Sequence, residues 1–597
     1  MMKANVFKTT LFLLCSLSFG GLLKAQEVHY ELRMEKPQNH YFQVKMEISG
    51  VKDREMEVKM PVWAPGSYLV REFAKNVNLV IAKDQDGKEL PVRKTNKNTW
   101  KITKGSAKRV TVSYEVYAFE LSVRTSFLDA SHGFVSGTGV FMYLAGATER
   151  EGTLTIVPHT SFKKVTTALP LDEGKGAFNY RYRNYDQLVD CPMEIGNQEE
   201  FDFEASGVHH HVGIYGPGNY EVDRLKKDMA RIVESETAVF GENPNKDYTF
   251  IIHNVVNGQG GLEHINSTTL SVNRWTYQGA AYKNFLSLVA HEYFHLWNVK
   301  RIRPIELGPF NYDEENYTDL LWVMEGFTSY YDELIPLRAG YYTEGEYLRK
   351  LNSTINYVEG SVGTRVQPVA HASFDAWIKA YRPNENSANT TMTYYSRGAM
   401  LAALLDAKII AKTNGEKCLD HFMQKLYKDF YKKLDRGFTV IEFRTALKEF
   451  MGENMDQFIE DFVYGTKVPP FEEYFGPIGV DVKYTGKEEA SFGARISERS
   501  GKAIVNRIRA GSTAEEMGLS VDDEVIGFAG YRVSAKEVEG ILKSLNAGDE
   551  INLLIARDDI LLELKGQMGL YERPSYHFEF KDGEASEKLR AYWLRAQ

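Results

Sequence analysis

Cysteine is close to absent: three residues in 597, at positions 15, 191 and 418. That scarcity excludes a disulfide-stapled scaffold. Cys191 and Cys418 leave two readings open, one bridge in an oxidising compartment or two buried thiols. Long apolar runs are also missing. The longest, Leu11–Leu23, is mostly apolar over 13 residues, against roughly 20 for a membrane-crossing helix. No transmembrane span is therefore expected. A basic excess is missing as well: 72 Lys and Arg stand against 81 Asp and Glu, a net charge of -9. Nucleic acid is not the expected partner of such a chain. Internal repeats and low-complexity tracts are absent too, which sets aside solenoids and disordered chains.

What is present is the composition of a folded protein, 43% hydrophobic and 26% charged. Its length exceeds what one core holds, so about three to five domains are expected. The first 25 residues read as a secretory signal. Lys3 and Lys8 precede the apolar run, and Leu23-Lys24-Ala25 is an acceptable cleavage site before Gln26. A lipoprotein signal needs a small residue before its cysteine, and Cys15 follows Leu14. The reading implies export across the inner membrane to the periplasm. Loss of Lys3, Lys8 and Lys24 takes the net charge to about -12.

Three changes of pattern divide the rest. Residues 26–200 alternate with period two, as in "YFQVKMEI" and "RVTVSYEVYAF", and predict a β-sandwich-like domain. Within it, "MPVWAPGSYLVREF" breaks regular structure at Pro61, Pro65 and Gly66. Residues 201–468 begin with strands such as "YTFIIHN" and turn mostly helical. Residues 469–570 return to short strands with a helix between them, and 571–597 form a tail expected to end in an amphipathic helix. The fold class is multidomain α+β.

The chemistry concentrates in "VAHEYFHLWNVK". His291 and His295 are four apart, so on a helix they share one face. The flanking apolar stripe of Phe285, Leu288, Val289, Phe294 and Leu296 supports that helix. HExxH of this kind holds a catalytic zinc ion, and Glu292 then stands beside the metal as general base. A catalytic site needs a third protein ligand. "LLWVMEGFTSYYDE" offers Glu325, thirty residues after His295, on a helix of its own. Chance and a buried structural histidine pair are the competing readings of the motif.

Two further segments carry a resemblance. "GQGGLEHIN", residues 258–266, resembles the glycine-rich substrate strand of gluzincin aminopeptidases, and "TYYSRGAM", residues 393–400, resembles their tyrosine segment. Together with "PVWAPGSYLVREF", "YDQLVDCPMEIG", "HEYFHLWNVKRIRP" and "LLWVMEGFTSYY", they make nearly the whole chain after the signal similar to the glycyl aminopeptidases, metallopeptidase family sixty-one. One departure is Cys191, where that family's pattern leads to an expectation of serine. The resemblance implies a thermolysin-like catalytic domain over 201–468, one zinc ion per chain and peptide substrates with a free N-terminus. It implies that Gly261 and Glu263 bind substrate, with Glu263 holding the amine. It implies that Tyr395, with Tyr394 as the neighbouring alternative, donates to the oxyanion. It also implies a preference for N-terminal Gly, then Ala.

Two stretches stay outside this scheme. In "GVHHHVGIYG" only His209 and His211 would share a strand face, no carboxylate lies near them in sequence, and solvated or hydrogen-bonded strand histidines are expected. Residues 469–570 resemble a PDZ domain of the permuted bacterial kind. There "SFGARI" (491–496) would hold a peptide C-terminus, or the module would only pack on its neighbour. Two other functions remain open at this point: a zinc endopeptidase with PDZ-assisted capture, and a non-catalytic PDZ-type binding protein.

Overall fold

Period-two alternation becomes a layered β domain. The computed structural model describes residues 28–594, so the expected signal segment lies outside the described residues. Strands Val28–Arg33, Tyr41–Ser49, Arg109–Tyr117 and Gly152–Val157 form the middle of a seven-stranded sheet. Successive side chains point to opposite faces, so Tyr30, Leu32, Val44, Met46, Val112 and Tyr114 all turn inward. They share a core with Trp100 and Met193 from two four-stranded sheets and with Phe141 from the connecting loop.

The next sheet has five strands and begins at Glu199–Ala205 rather than after residue 200. That strand pairs with Val208–Tyr215, followed by Asp247–Val255 and Ser267–Asn273. Gly261–Glu263 is the edge strand, antiparallel to Ser267–Asn273 with Glu263 opposite Thr268. Helices Val222–Phe240, Gly279–Phe294, Leu321–Arg338 and Tyr394–Lys412 build on this sheet. The last two meet at a glycine pair. A Cβ on Gly398 would lie 2.7 Å from Gly326 Cα, and one on Gly326 would fall on the Gly398 backbone. Only glycine at both positions lets the two backbones come this close.

Buried charge ties the β domain to the helical one. Asp190 accepts from Lys300 Nζ at 2.9 Å, from the Ile265 amide at 2.8 Å, and pairs with His264 Nδ1 at 3.0 Å. Glu194 lies between His132 at 2.7 Å and His253 at 2.9 Å. Trp63 Nε1 donates to Asn311 O at 2.7 Å. Cys191 and Cys418 are both buried and not bridged.

The C-terminal module is a sheet around Val505, Val525, Leu553 and Ile555, with Ala494–Arg499 as an edge strand and helix Ala535–Ser544 beside it. Ser534 and Glu537 cap that helix reciprocally. The chain enters and leaves the module side by side: Val480–Tyr484 pairs with Tyr576–Phe580, and Lys487–Ala490 with Leu570–Arg573. The first part of the 571–597 tail is corrected by these return strands, while the helix expected at its end is present. Helix starts only at Glu584 and runs to Leu594. The strands were missed because their partners lie about ninety residues earlier, beyond any local pattern. Trp593 is buried, and its Nε1 donates to Tyr330 Oη at 2.8 Å. The module also grips Asn389, whose Nδ2 donates to Ile508 O at 2.8 Å and whose Oδ1 accepts from the Ala510 amide at 3.0 Å. Among the described residues, no helix is long and apolar enough to cross a membrane.

Burial pushes the Asp190 carboxyl up, and the Lys300 ammonium and His264 more than reverse this, holding it below the usual carboxylate range. A depressed folded value means that its stabilisation is present above the unfolded value of about 3.9 and is lost as pH falls toward the folded value. Asp190→Ala leaves the Lys300 side chain, 7% exposed, without its counter-charge. The expected cost is about 3–5 kcal/mol at neutral pH, read by thermal or urea unfolding. Asp190→Leu combined with Lys300→Met is expected to cost less than Asp190→Ala alone.

Candidate functional site

Helix Gly279–Phe294 buries Tyr282, Phe285, Leu286, Val289, Ala290 and Tyr293, the three-and-four spacing of one helical face. Its last turn carries His291 and Glu292, and His295 caps it in helical conformation. The two imidazoles stand nearly perpendicular, with centroids 4.8 Å apart. Glu325, from the first turns of Leu321–Arg338, points between them. Its Oε2 lies 3.6 Å from His291 Nε2 and 3.3 Å from His295 Nε2. All three donor atoms fall within 4.8 Å of one another. A tetrahedral zinc ion bound at about 2.1 Å sets its donors about 3.4 Å apart, so this donor set fits one.

The other ring nitrogens are also committed. His291 Nδ1 pairs with Asp332 Oδ2 at 2.8 Å, and His295 Nδ1 donates to Asn298 O at 2.8 Å. Each contact fixes a tautomer with its Nε2 lone pair toward Glu325. The Asn298 amide donates in turn to Val323 O at 3.0 Å, Met324 O at 2.9 Å and Thr328 Oγ1 at 3.1 Å. One side chain thus staples the end of the histidine helix to the start of the glutamate helix. Asp332 and Asn298 were missed from the sequence. Asp332 had a signal, seven residues after Glu325 and so on the same helical face. Asn298 had none.

Buried charge sets the local proton affinities. Burial would raise the Glu325 carboxyl, but with no cation bound the protonated His295 and His291 imidazoles outweigh it and hold it below the usual carboxylate range. Burial lifts Glu292 to about 7, with the Glu263 and Glu325 charges acting in the same direction. A divalent cation at the three donors would lower it again. Glu292 is 4% exposed, and its Oε2 has no hydrogen-bond partner among the described residues. Gly261 lies directly against it, and any side chain there would overlap the Glu292 carboxylate.

Glu263 sits at the end of the edge strand, 4% exposed, with Oε1 unpartnered. The β domain closes over it. Gly66 has φ +84°, and a Cβ there would lie 2.8 Å from Glu263 Cδ. Both the backbone angle and the close approach demand glycine. Tyr68, buried behind this turn, contacts the Tyr381 and Trp377 rings. Arg124, also from the β domain, donates through Nη2 to Gly261 O at 3.1 Å. These contributions were not foreseen, although "WAPGSYLV" had stood out as an irregular stretch.

Tyr395 begins helix Tyr394–Lys412 three residues before Gly398, and the Thr393 hydroxyl caps its amide at 3.3 Å. Its ring centroid is 6.2 Å from that of His291. Tyr394 is fully buried and stacks on Tyr395 at 4.8 Å, so of the two residues Tyr395 is the one beside His291. Burial and the Glu325 charge push the Tyr395 phenol well up, which keeps it a proton donor. The histidine run lies elsewhere. His210 is buried against Tyr293 Oη at 2.9 Å. His211 and His209 both face Asp202, at 2.7 and 3.4 Å, a carboxylate that sequence distance had not brought to them, and His211 is hydrogen-bonded to it. Hairpin pairing of strands 199–205 and 208–215 brings it there.

Comparisons with known proteins show which families the chain resembles. A profile of the peptidase M61 N-terminal domain matches residues 29–197, and one of the M61 glycyl aminopeptidases matches residues 284–401. A crystal structure of an aminopeptidase N family protein from Idiomarina loihiensis is 31% identical, with a TM-score of 0.88, over 95% of this chain and 100% of that one. An M1 zinc metallopeptidase from Deinococcus radiodurans, bound to a Tyr-Ser-Ala substrate, is 15% identical with a TM-score of 0.49, over 75% of this chain and 96% of that one. No curated protein matches.

Asp332→Asn removes the charge that orients His291. Zinc affinity is expected to fall about 10- to 100-fold, measured by competition with a chelator of known affinity.

Proposed function

We propose that this chain, which belongs to the M61 glycyl aminopeptidase family and is a zinc aminopeptidase, removes single N-terminal residues from peptides, Gly first and Ala next. The observation that carries the reading is Glu263. A buried carboxylate with an unpartnered oxygen, at the end of an edge strand and beside Glu292, is an anion placed to receive a cation. A substrate ammonium is that cation, and it fixes cleavage one residue from the chain end. The Gly66 turn against Glu263, with Tyr68 behind it, supports a small first side chain.

His291, His295 and Glu325 would hold one zinc ion, which would supply Lewis acidity and lower the pKa of water toward about 7. Glu292 takes the proton from the attacking water and passes it to the leaving amine. Tyr395 donates its hydroxyl proton in a hydrogen bond to the carbonyl oxygen as negative charge develops there. The substrate backbone lies along the open edge of Gly261–Glu263, with Gly261 leaving room beside Glu292. The apolar run Leu11–Leu23 after Lys3 and Lys8 supports export to the periplasm. The 491–496 segment leading into an edge strand beside helix Ala535–Ser544 supports a PDZ-like module that accepts a peptide C-terminus.

Glu292→Gln is expected to lower kcat about 10³-fold or more with zinc content unchanged, and Tyr395→Phe about 10²- to 10³-fold. Gly-Ala is expected to be cut and acetyl-Gly-Ala left intact, with Glu263→Gln weakening the distinction. Equal cleavage of the acetylated peptide by the wild type would remove the amine anchor and leave an endopeptidase.

A further inference from the structure

Two guanidinium groups in the cleft are left unused by this mechanism, and both come from the β domain. Arg124 donates through Nη2 to Gly261 O at 3.1 Å, while its Nε is buried without a partner. Arg71 follows the Gly66 turn. Its Nη2 donates to Ser67 Oγ at 3.0 Å, and its Nε is likewise buried and unpartnered. Among the described residues, neither is hydrogen-bonded to a carboxylate. Arg124 faces Tyr381, Tyr395, Glu292 and Glu263, and Arg71 faces Arg124, Glu120 and Tyr381. Burial and the neighbouring Arg124 charge hold the Arg71 guanidinium below its ordinary value. Each guanidinium still keeps a buried N–H without an acceptor, which a bound anion would satisfy.

Their position along the substrate names that anion. Gly261 lies two residues from Glu263 on the strand, about 6.6 Å. An extended peptide beside it, with its ammonium at Glu263, reaches the level of Gly261 with its second or third residue. A dipeptide or tripeptide ends there in a carboxylate. Arginine presents parallel N–H donors that match a carboxylate in a planar fork, and such charge-assisted bonds are the strong ones in a partly dry cleft.

We propose that Arg124 and Arg71 receive the C-terminal carboxylate of short peptides, which makes this enzyme selective for dipeptides and tripeptides with a free C-terminus. The proposal rests on the aminopeptidase reading and on Glu263 as its amine anchor. Selection by length is then made by the N-terminal domain, through a loop that holds the substrate strand itself. A longer peptide has only a neutral amide to offer at this level and leaves both arginines unsatisfied.

The test compares kcat/KM for Gly-Ala, Gly-Ala-Ala, their C-terminal amides, Gly-Asp-amide and Gly-7-amino-4-methylcoumarin. Wild type, Arg124→Gln, Arg124→Lys and Arg71→Gln are assayed in parallel. Wild type is expected to cleave the better free acid about 10- to 100-fold more efficiently than its amide. That ratio is expected to shrink toward one in Arg124→Gln, to shrink in Arg71→Gln, and to survive in part in Arg124→Lys. An arginine that only braces Gly261 would lower acid and amide together and leave the ratio standing, which overturns the proposal. So does a ratio near one in the wild type. A gain for Gly-Asp-amide equal to that for the free acids assigns the anion to a side chain and overturns the terminus. Release of aminomethylcoumarin, blocked by N-acetylation, reports the aminopeptidase reading separately. A flat ratio with that release intact sinks only this proposal.

Discussion

A carboxylate oxygen held between two imidazole nitrogens, at 3.6 and 3.3 Å, is the contact on which the rest of the structure depends. It is costly to assemble, because three titratable groups lose their water together. The protein meets that cost with rigid elements. Two imidazoles come from one helix and the carboxylate from another, and Asn298 bonds the end of the first to buried carbonyls of the second. A third helix presses against the glutamate helix through paired glycines and so brings Tyr395 to the same spot. Any slip of one helix by a turn, about 5.4 Å, would break the donor set.

The β domain is part of the site and not only its support. Gly66 lies on Glu263, Tyr68 fills the space behind, and Arg124 holds the strand that carries both Gly261 and Glu263. Asp190 and Glu194, each shared between histidines or lysine across the domain boundary, keep this arrangement fixed. The strand Gly261–Glu263 therefore stands between two domains, bonded to one as the edge of its sheet and clasped by a loop of the other.

Much of this was legible in the chain, and the reason differs by residue. His291, Glu292 and His295 announce themselves through helical spacing, a local rule that packing does not alter. Glu325 was readable because an acidic residue within an apolar helical run needs a buried partner. Asp332 was readable by the same periodicity and was overlooked. Gly66, Arg124 and Tyr381 were not, since loops far apart in sequence bring them together and no periodicity links them. Asp202 escaped for a related reason: cross-strand register, not sequence distance, sets it facing His211. The return strands at 570–573 and 576–580 read as tail because their hydrogen bonds go to segments that precede the module.

Those paired strands have a consequence for how the last module is held. It is an insertion between the helical domain and the closing helix, whose Trp593 reaches into the core to Tyr330. Both ends of its chain are thus anchored in the same body, and Asn389 adds a third point of attachment. A single proteolytic nick in either connecting strand would leave the module in place. To shed it, a protease must cut twice, and the terminal fragment that stays behind would still plug the core it was folded to fill.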